Sequence, residues 1–475
     1  LFRSTNSITV TDIVNVNAGG SFLIKNNASL VQVNNVANIG NINMERTTQP
    51  MYRYDYTYWG SPVTQASGFT LGNLSPNTLY DKYFSWNPTN GGGNGNWVLE
   101  NSSTVMNPTK GYIVRAPQTY STNPTTTNAY TTNFIGVPNN GTINVPIVVG
   151  TMPAGLFNDK LNLLGNPYPS AVDADLFLNH TGNAALIDGT IYFWTHHSPP
   201  SAAYPNPFYG NYTYNYTAGD YATYTPAMGG VGTVPTGYGG PAPNGFIAAG
   251  QGFFVKGTAN GTVVFTNTMR DKDNNSDFFR MSTNERHRVW LNLANQQGGF
   301  SQTLVGYAEG ATTGYDRGYD GSSFGGNFVS FYSVLADAQT VTVQGRPLPF
   351  DQSDEVPLGY NATAANTYTI GIDHFDGLFD SQNIYLEDKL LNVIHDLKQN
   401  AYEFTSEVGR FNDRFVLRYT DSTLGVTRPD AAIGVVAIIA NEKLMVQASE
   451  HIEQIQVFDM TGKLVRTYNP EVSSK

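Results

Sequence analysis

The 475-residue chain is acidic, with a formal net charge of -11 and a pI near 5.0, and shows no Lys or Arg cluster, which excludes nucleic acid as a partner. Cysteine is absent, so disulfides, thiol catalysis and thiolate metal sites are excluded together. No stretch of about 18 apolar residues is present to cross a bilayer as a helix.

Charged residues make up 13%, about half the share of ~25% in ordinary soluble domains, and aromatics also reach 13%. Polarity must then come from Asn, Thr, Ser, Gln and Tyr, the surface style of a β-rich extracellular protein. The length allows several domains, each with its own core. The expectation is an all-β chain in five parts. These are a β-solenoid end (1–48), a duplicated β unit (49–280), an antiparallel β-sandwich or jelly roll (281–421), a linker (422–430) and a partial C-terminal β-sandwich (431–475).

In residues 7–44, short apolar runs such as Ile13-Val14 and Leu30-Val31 alternate with Asn or Gly breaks about ten residues apart. This spacing fits the last coils of a parallel solenoid, with a meander of hairpins as the alternative. A solenoid starting at residue 1 would expose its stacking face, so further repeats, and any export leader, are expected upstream.

Two related copies follow, at about 52–145 and 161–265. Trp59-Gly60-Ser61-Pro62 answers to Leu164-Gly165-Asn166-Pro167, and Tyr83-Phe84-Ser85-Trp86 to Tyr192-Phe193-Trp194. Gly111-Tyr112-Ile113-Val114-Arg115 answers to Gly252-Phe253-Phe254-Val255-Lys256, and Asn140-Gly141-Thr142-Ile143 to Asn260-Gly261-Thr262-Val263. Four collinear matches indicate one unit written twice. Residues 119–133 read as a long loop. A short helix is expected over 171–178, with Ser170 as its N-cap.

The second copy carries a tyrosine-rich insertion over 204–224. Tyr204, Tyr209, Tyr212, Tyr214 and Tyr216 are candidate contacts for sugars or a protein partner, since Tyr offers an apolar ring with a polar tip. The plainer alternative is that these rings cover the sheet beneath them. Asp271, Asp273, Asn275 and Asp277 place oxygen ligands at alternate positions, a candidate structural Ca2+ loop set against a solvated turn. Asp316 with Asp320, and Asp351 with Asp354 and Glu355, are weaker acidic groups. His196-His197 are adjacent, and neighbours on a strand point apart, so they are not read as metal ligands. No other cofactor is expected. No nucleophile elbow or phosphate-cradling loop is present, and the chain is read as no enzyme.

From 286 to 419, seven apolar runs with turns between them point to the sandwich, among them Val289-Trp290-Leu291, Phe331-Tyr332 and Phe415-Val416-Leu417.

Beyond the linker, Val457-Phe458-Asp459-Met460-Thr461-Gly462-Lys463-Leu464-Val465, preceded by Leu444-Met445-Val446 and Ile452-Glu453-Gln454-Ile455, resembles the C-terminal sorting domain of cargo of the type IX secretion system of Bacteroidetes. Leu163-Leu164-Gly165-Asn166-Pro167-Tyr168-Pro169-Ser170, Phe253-Phe254-Val255, Asn275-Ser276-Asp277-Phe278-Phe279-Arg280 and Phe411-Asn412-Asp413-Arg414-Phe415 resemble large surface proteins of gliding Flavobacteria with a type C signal. The resemblance implies export through the type IX translocon and its outer-membrane shuttle, and display at the outer-membrane surface or release. It implies a sorting motif of Phe458, Asp459, Gly462, Lys463 and Leu464. It also implies that closing strands lie downstream.

The expectation is therefore a secreted, surface-displayed structural or adhesive protein, in contact with surface glycans or other surface proteins. The alternatives are a carbohydrate-binding surface module, or the accessory and export region of a larger secreted enzyme.

Overall fold

Apolar residues alternating with polar ones build short strands along the whole chain, and the structure, a computed structural model, is all-β with only short helices among the described residues. It describes residues 6–90, 95–150, 160–202, 215–234, 242–275, 287–324, 329–421, 435–440, 443–448, 452–458 and 462–469. The chain divides into two compact units, Leu1–Tyr419 and Thr420–Lys475.

At the start of the first unit, Ser7–Val10 pairs in parallel with Ser29–Gln32, and Leu23–Ile24 in parallel with Ile42–Thr47. Strands this close in sequence pair antiparallel when a hairpin joins them, so this stretch is not a meander of hairpins. Its inward residues Val14, Ile24, Leu30, Ile42 and Met44 share a core with Trp59, Tyr112 and Phe134 of the first copy. Ile42–Thr47 also pairs antiparallel with Thr131–Gly136. The end of the stretch read as a loop is therefore strand, because Phe134 needs burial and period two turns Thr132 inward with it.

The two copies have the same strand order. The first sheet runs Tyr56–Trp59, Tyr112–Arg115, Tyr83–Asn87, Asn96–Leu99. The second runs Leu161–Gly165, Gly252–Gly257, Ile187–Trp194, Tyr221–Thr225, then Gly229–Val231 as an added edge. Pairing corrects one match. Phe84 stands opposite Ile113 and Tyr192 opposite Phe254, so Phe84 corresponds to Tyr192 and Trp86 to Trp194, one residue from the sequence reading. A slip of one would turn every side chain of that strand to the other face.

The copies meet about a local two-fold. Equivalent strands Ile143–Ile147 and Gly261–Phe265 pair antiparallel with Asn144 opposite Val264, equivalent positions. Equivalent glycines Gly60 and Gly165 also touch, and a Cβ on Gly60 would lie 2.7 Å from Gly165 Cα. Tyr58, Trp86 and Ile113 of one sheet pack on Leu161, Leu163 and Phe254 of the other.

The helix begins later than expected. Ala171–Asp173 is a strand between Phe246–Ile247 and Arg270–Asp271, and the helix is Ala174–Asn179, with Asp173 accepting from the Leu176 N–H. Ser170 is not free to cap, since its hydroxyl meets the Ala171 carbonyl and Arg270 Nε. The helix buries Phe177 and Leu178 on the outer face of the second sheet.

Residues 287–419 form a sandwich of a five-stranded and a six-stranded sheet around one core that includes Leu291, Val305, Leu358, Tyr360, Ile370 and Phe415. One pair is parallel, Phe300–Ala308 with Val343–Pro347, because Thr340–Val341 belongs to the six-stranded sheet and the chain switches sheets at Thr342. In the second unit, Val435–Ala440 pairs with Lys443–Ala448, and Ile455–Phe458 with Leu464–Tyr468.

Candidate functional site: an aromatic cleft between the copies

Period two places Tyr56 and Tyr58, Phe84 and Trp86, Trp97 and Leu99, and Ile113 and Arg115 on one face of the first sheet. The second sheet covers part of that face. The remainder is open, and with Trp194, Pro199, Pro200, Tyr216 and Tyr221 opposite it forms a cavity of about 1130 Å³.

The rings are held in place by bonds between the copies. Trp194 Nε1 donates to the Tyr56 carbonyl at 3.1 Å, and the Tyr216 hydroxyl donates to the Tyr54 carbonyl at 2.7 Å. The hydroxyls of Tyr58 and Tyr221 are 2.5 Å apart. Tyr58 stacks on Trp194 with centroids 5.7 Å apart, and Trp97 meets Trp86 edge to face at 5.1 Å. Such pairs add roughly 0.5–1.5 kcal/mol each beyond the area they bury, so the walls are rigid before any ligand arrives.

Polar groups support these rings from behind. His196, at φ 46, accepts from the Tyr56 N–H through Nδ1 at 3.2 Å and places Nε2 2.7 Å from Asp55 Oδ1. Asp220 is enclosed and accepts from the Ser198 N–H and hydroxyl, both at 2.9 Å. Burial pushes the Asp220 carboxyl up to about 6, opposed by nearby His196 and the Ser198 bonds. The Ser198 hydroxyl thus faces Asp220 and not His196. Ser, His and Asp form no relay here, and the cluster instead ties residues 195–201 to the first copy.

Of the tyrosines singled out in the sequence, Tyr216 lines the cleft, and Tyr204, Tyr209, Tyr212 and Tyr214 lie outside the described residues. The first-copy rings Tyr56, Phe84 and Trp97 were not singled out. Their alternation within the copy was the available signal.

In the acidic loop, Asp271 Oδ1 accepts from the Asp273 and Asn274 N–H groups, while Asp273 is exposed beside Lys272. Asn275 turns inward, its amide donating to the Ala28 carbonyl and accepting from the Ala249 N–H. Asn275 is thus committed to backbone and does not converge with the two acids, and Asp277 lies outside the described residues. Asp316 and Asp320 accept backbone N–H groups, and Asp354 pairs with Arg346. Among the described residues no three metal-ligating side chains group together.

In the second unit, Phe458 stands opposite Leu464, Gly462 ahead of the returning strand has φ 81, and both apolar side chains are about half exposed. Lys463 leads into the returning strand, and Asp459 lies outside the described residues.

The family described as Domain of unknown function (DUF8693) matches residues 1–419. The chain belongs to this family. Its matched region ends at Tyr419, where the first compact unit also ends, so the copies, the cleft and the sandwich all lie within the family domain. No curated protein and no solved structure matches the chain.

Proposed function

We propose that this is a secreted, surface-displayed adhesive protein whose family domain binds glycans in the cleft between the two copies. The observation that carries this reading is the cleft wall itself. Half-buried Tyr56, Phe84, Trp97, Trp194 and Tyr216 present ring faces and edges in a cavity of about 1130 Å³, large enough for several sugar rings. Sugar rings offer apolar C–H faces and many hydroxyls, and fixed aromatic rings with nearby Asn, Thr and Tyr groups match both at low entropic cost. The deciding test is a glycan array followed by calorimetry. Tyr56→Ala is expected to weaken the best ligand about tenfold or more, whereas Leu390→Ala, at an exposed position of the sandwich outside the cleft lining, leaves it unchanged. No glycan above background, or equal binding by Tyr56→Ala, defeats the reading.

In this reading the N-terminal parallel coils are the end of a β-solenoid stalk, and residues 287–419 are a jelly-roll-like spacer. The Phe458 to Leu464 hairpin is the part of a type C sorting domain that addresses the type IX translocon. The resemblance of those residues supports it, together with their separation from the family domain. The test is export in a host with that system, with and without residues 420–475.

A further inference from the structure

Stacking on aromatic walls does not require a cation, yet the cleft contains one with few partners. Arg115 ends the strand Tyr112–Arg115, lies on the cleft face two residues after Ile113, and is only 8% exposed. A guanidinium has five N–H donors. Among the described residues the Arg115 side chain has one acceptor, Gln118 Oε1 at 2.9 Å, and its buried Nε has none.

Several other arginines in this protein are paired more fully. Arg288, Arg346 and Arg414 each pair with an aspartate, and Arg418 pairs with Glu387 and Glu355. Arg270, equally buried, has Ser170, Asn140, Asn267 and the Leu30 carbonyl as acceptors. The acid nearest in the cleft, Asp81, is taken by Lys82 at 2.8 Å. Asp81 feels the Arg115 charge through space but makes no hydrogen bond to it, and a buried guanidinium with no acid bonded to it is expensive to maintain, so its retention at the wall of a cavity points to an anion brought by the ligand. The charge balance agrees. Among the described residues Asp81, Lys82 and Arg115 are the charged ones of the lining and sum to +1, on a chain of -11.

We propose that the cleft selects acidic glycans, with the carboxylate of a uronic acid or a sulfate ester seated on Arg115 and the adjoining sugar rings against Tyr54 and Tyr56. This rests on the glycan reading above and narrows it. The planar fork of arginine matches either anion with two parallel N–H bonds, and the ring of Tyr54, 5.7 Å from the guanidinium carbon, limits the directions it can take.

The test is calorimetry with three probes at low and high salt. These are a galacturonate hexamer, a sulfated galactan oligomer of the same length, and the neutral hexamer made by reducing the carboxylates. At least one acidic probe is expected to bind about tenfold to a hundredfold tighter than the neutral one, the range for charge-assisted hydrogen bonds. Whichever acid binds tighter identifies the anion. Arg115→Met should bring the acidic probe down to the neutral level, read as the ratio of acidic to neutral affinity falling to about one. Arg115→Lys, which keeps the charge and loses the fork, should fall between and serves if the Met variant does not fold. Equal binding of all three probes, or an acid preference that survives in both variants, overturns the inference and leaves the stacking reading intact. Failure of all three probes together with an empty array overturns both.

Discussion

Asp188 lies enclosed in the strand Ile187–Trp194, with Oδ1 accepting from the Thr190 N–H at 3.0 Å and Oδ2 without a hydrogen-bond partner among the described residues. Burial pushes its carboxyl from the ordinary 3.8 up to about 6, with Lys256 and Arg317 opposing. A folded-state pKa above the unfolded one means that the fold holds the proton more tightly. The resulting stability is complete below about pH 4 and is lost as pH rises through about 6. The two values correspond to a loss on the order of 3 kcal/mol by pH 8. Asp188→Asn keeps the Oδ1 acceptor and removes the titration. Urea denaturation of both proteins at pH 5 and pH 8 should therefore show the variant gaining on the wild type at the higher pH. A difference independent of pH would dispose of the assignment.

Between elements, the contact of the two copies depends on two glycines that lack a side chain where the chains cross. A Cβ at Gly60 would lie 2.7 Å from Gly165 Cα and 3.0 Å from the Asn166 nitrogen. These are backbone atoms, which cannot turn aside as a flexible side chain would. Gly60→Ala is expected to destabilise the first unit by about 1–3 kcal/mol, the usual cost of overpacking. It should also weaken glycan binding, because Trp194 and Tyr216 reach the cleft from the second copy. Equilibrium unfolding monitored by tryptophan fluorescence reads the first effect. An alanine variant as stable as wild type would show that the copies separate easily, contrary to this packing.

At the scale of the molecule, the family match and the compact unit share the boundary at Tyr419. A chain ending at Tyr419 should keep the melting temperature of the main transition and the glycan affinity of the longer chain, since every residue of the cleft and the three largest cores lies before it. In a host with type IX secretion, the same truncation should abolish surface display. A truncated chain that melts early would show that residues 420–475 complete a core, and one that is still displayed would remove the sorting role from them.

Much of the architecture was legible in the sequence, because period two and turn residues act locally. Alternation at Val289 to Leu293 or Phe415 to Leu417 specifies a strand whatever it packs on, and the repeated Gly-aromatic runs marked both copies. The absence of cysteine and the low charge were likewise complete in composition. Register was not legible, since Tyr83-Phe84 and Tyr192-Phe193 look equivalent until partners across the sheet align Phe84 with Tyr192. Nor was the cap of the helix, because both Ser170 and Asp173 are N-cap residue types, and the Ser170 hydroxyl is engaged by the Ala171 carbonyl and by Arg270, 100 positions away. The cleft was the least visible feature. Its walls combine Tyr56, Phe84, Trp97 and Arg115 from one copy with Trp194 and Tyr216 from the other. A cavity belongs to the gap between two surfaces, so only the tertiary structure could bring those residues together, whereas the sequence by itself determined the period-two alternation that puts alternate residues of each strand on one face.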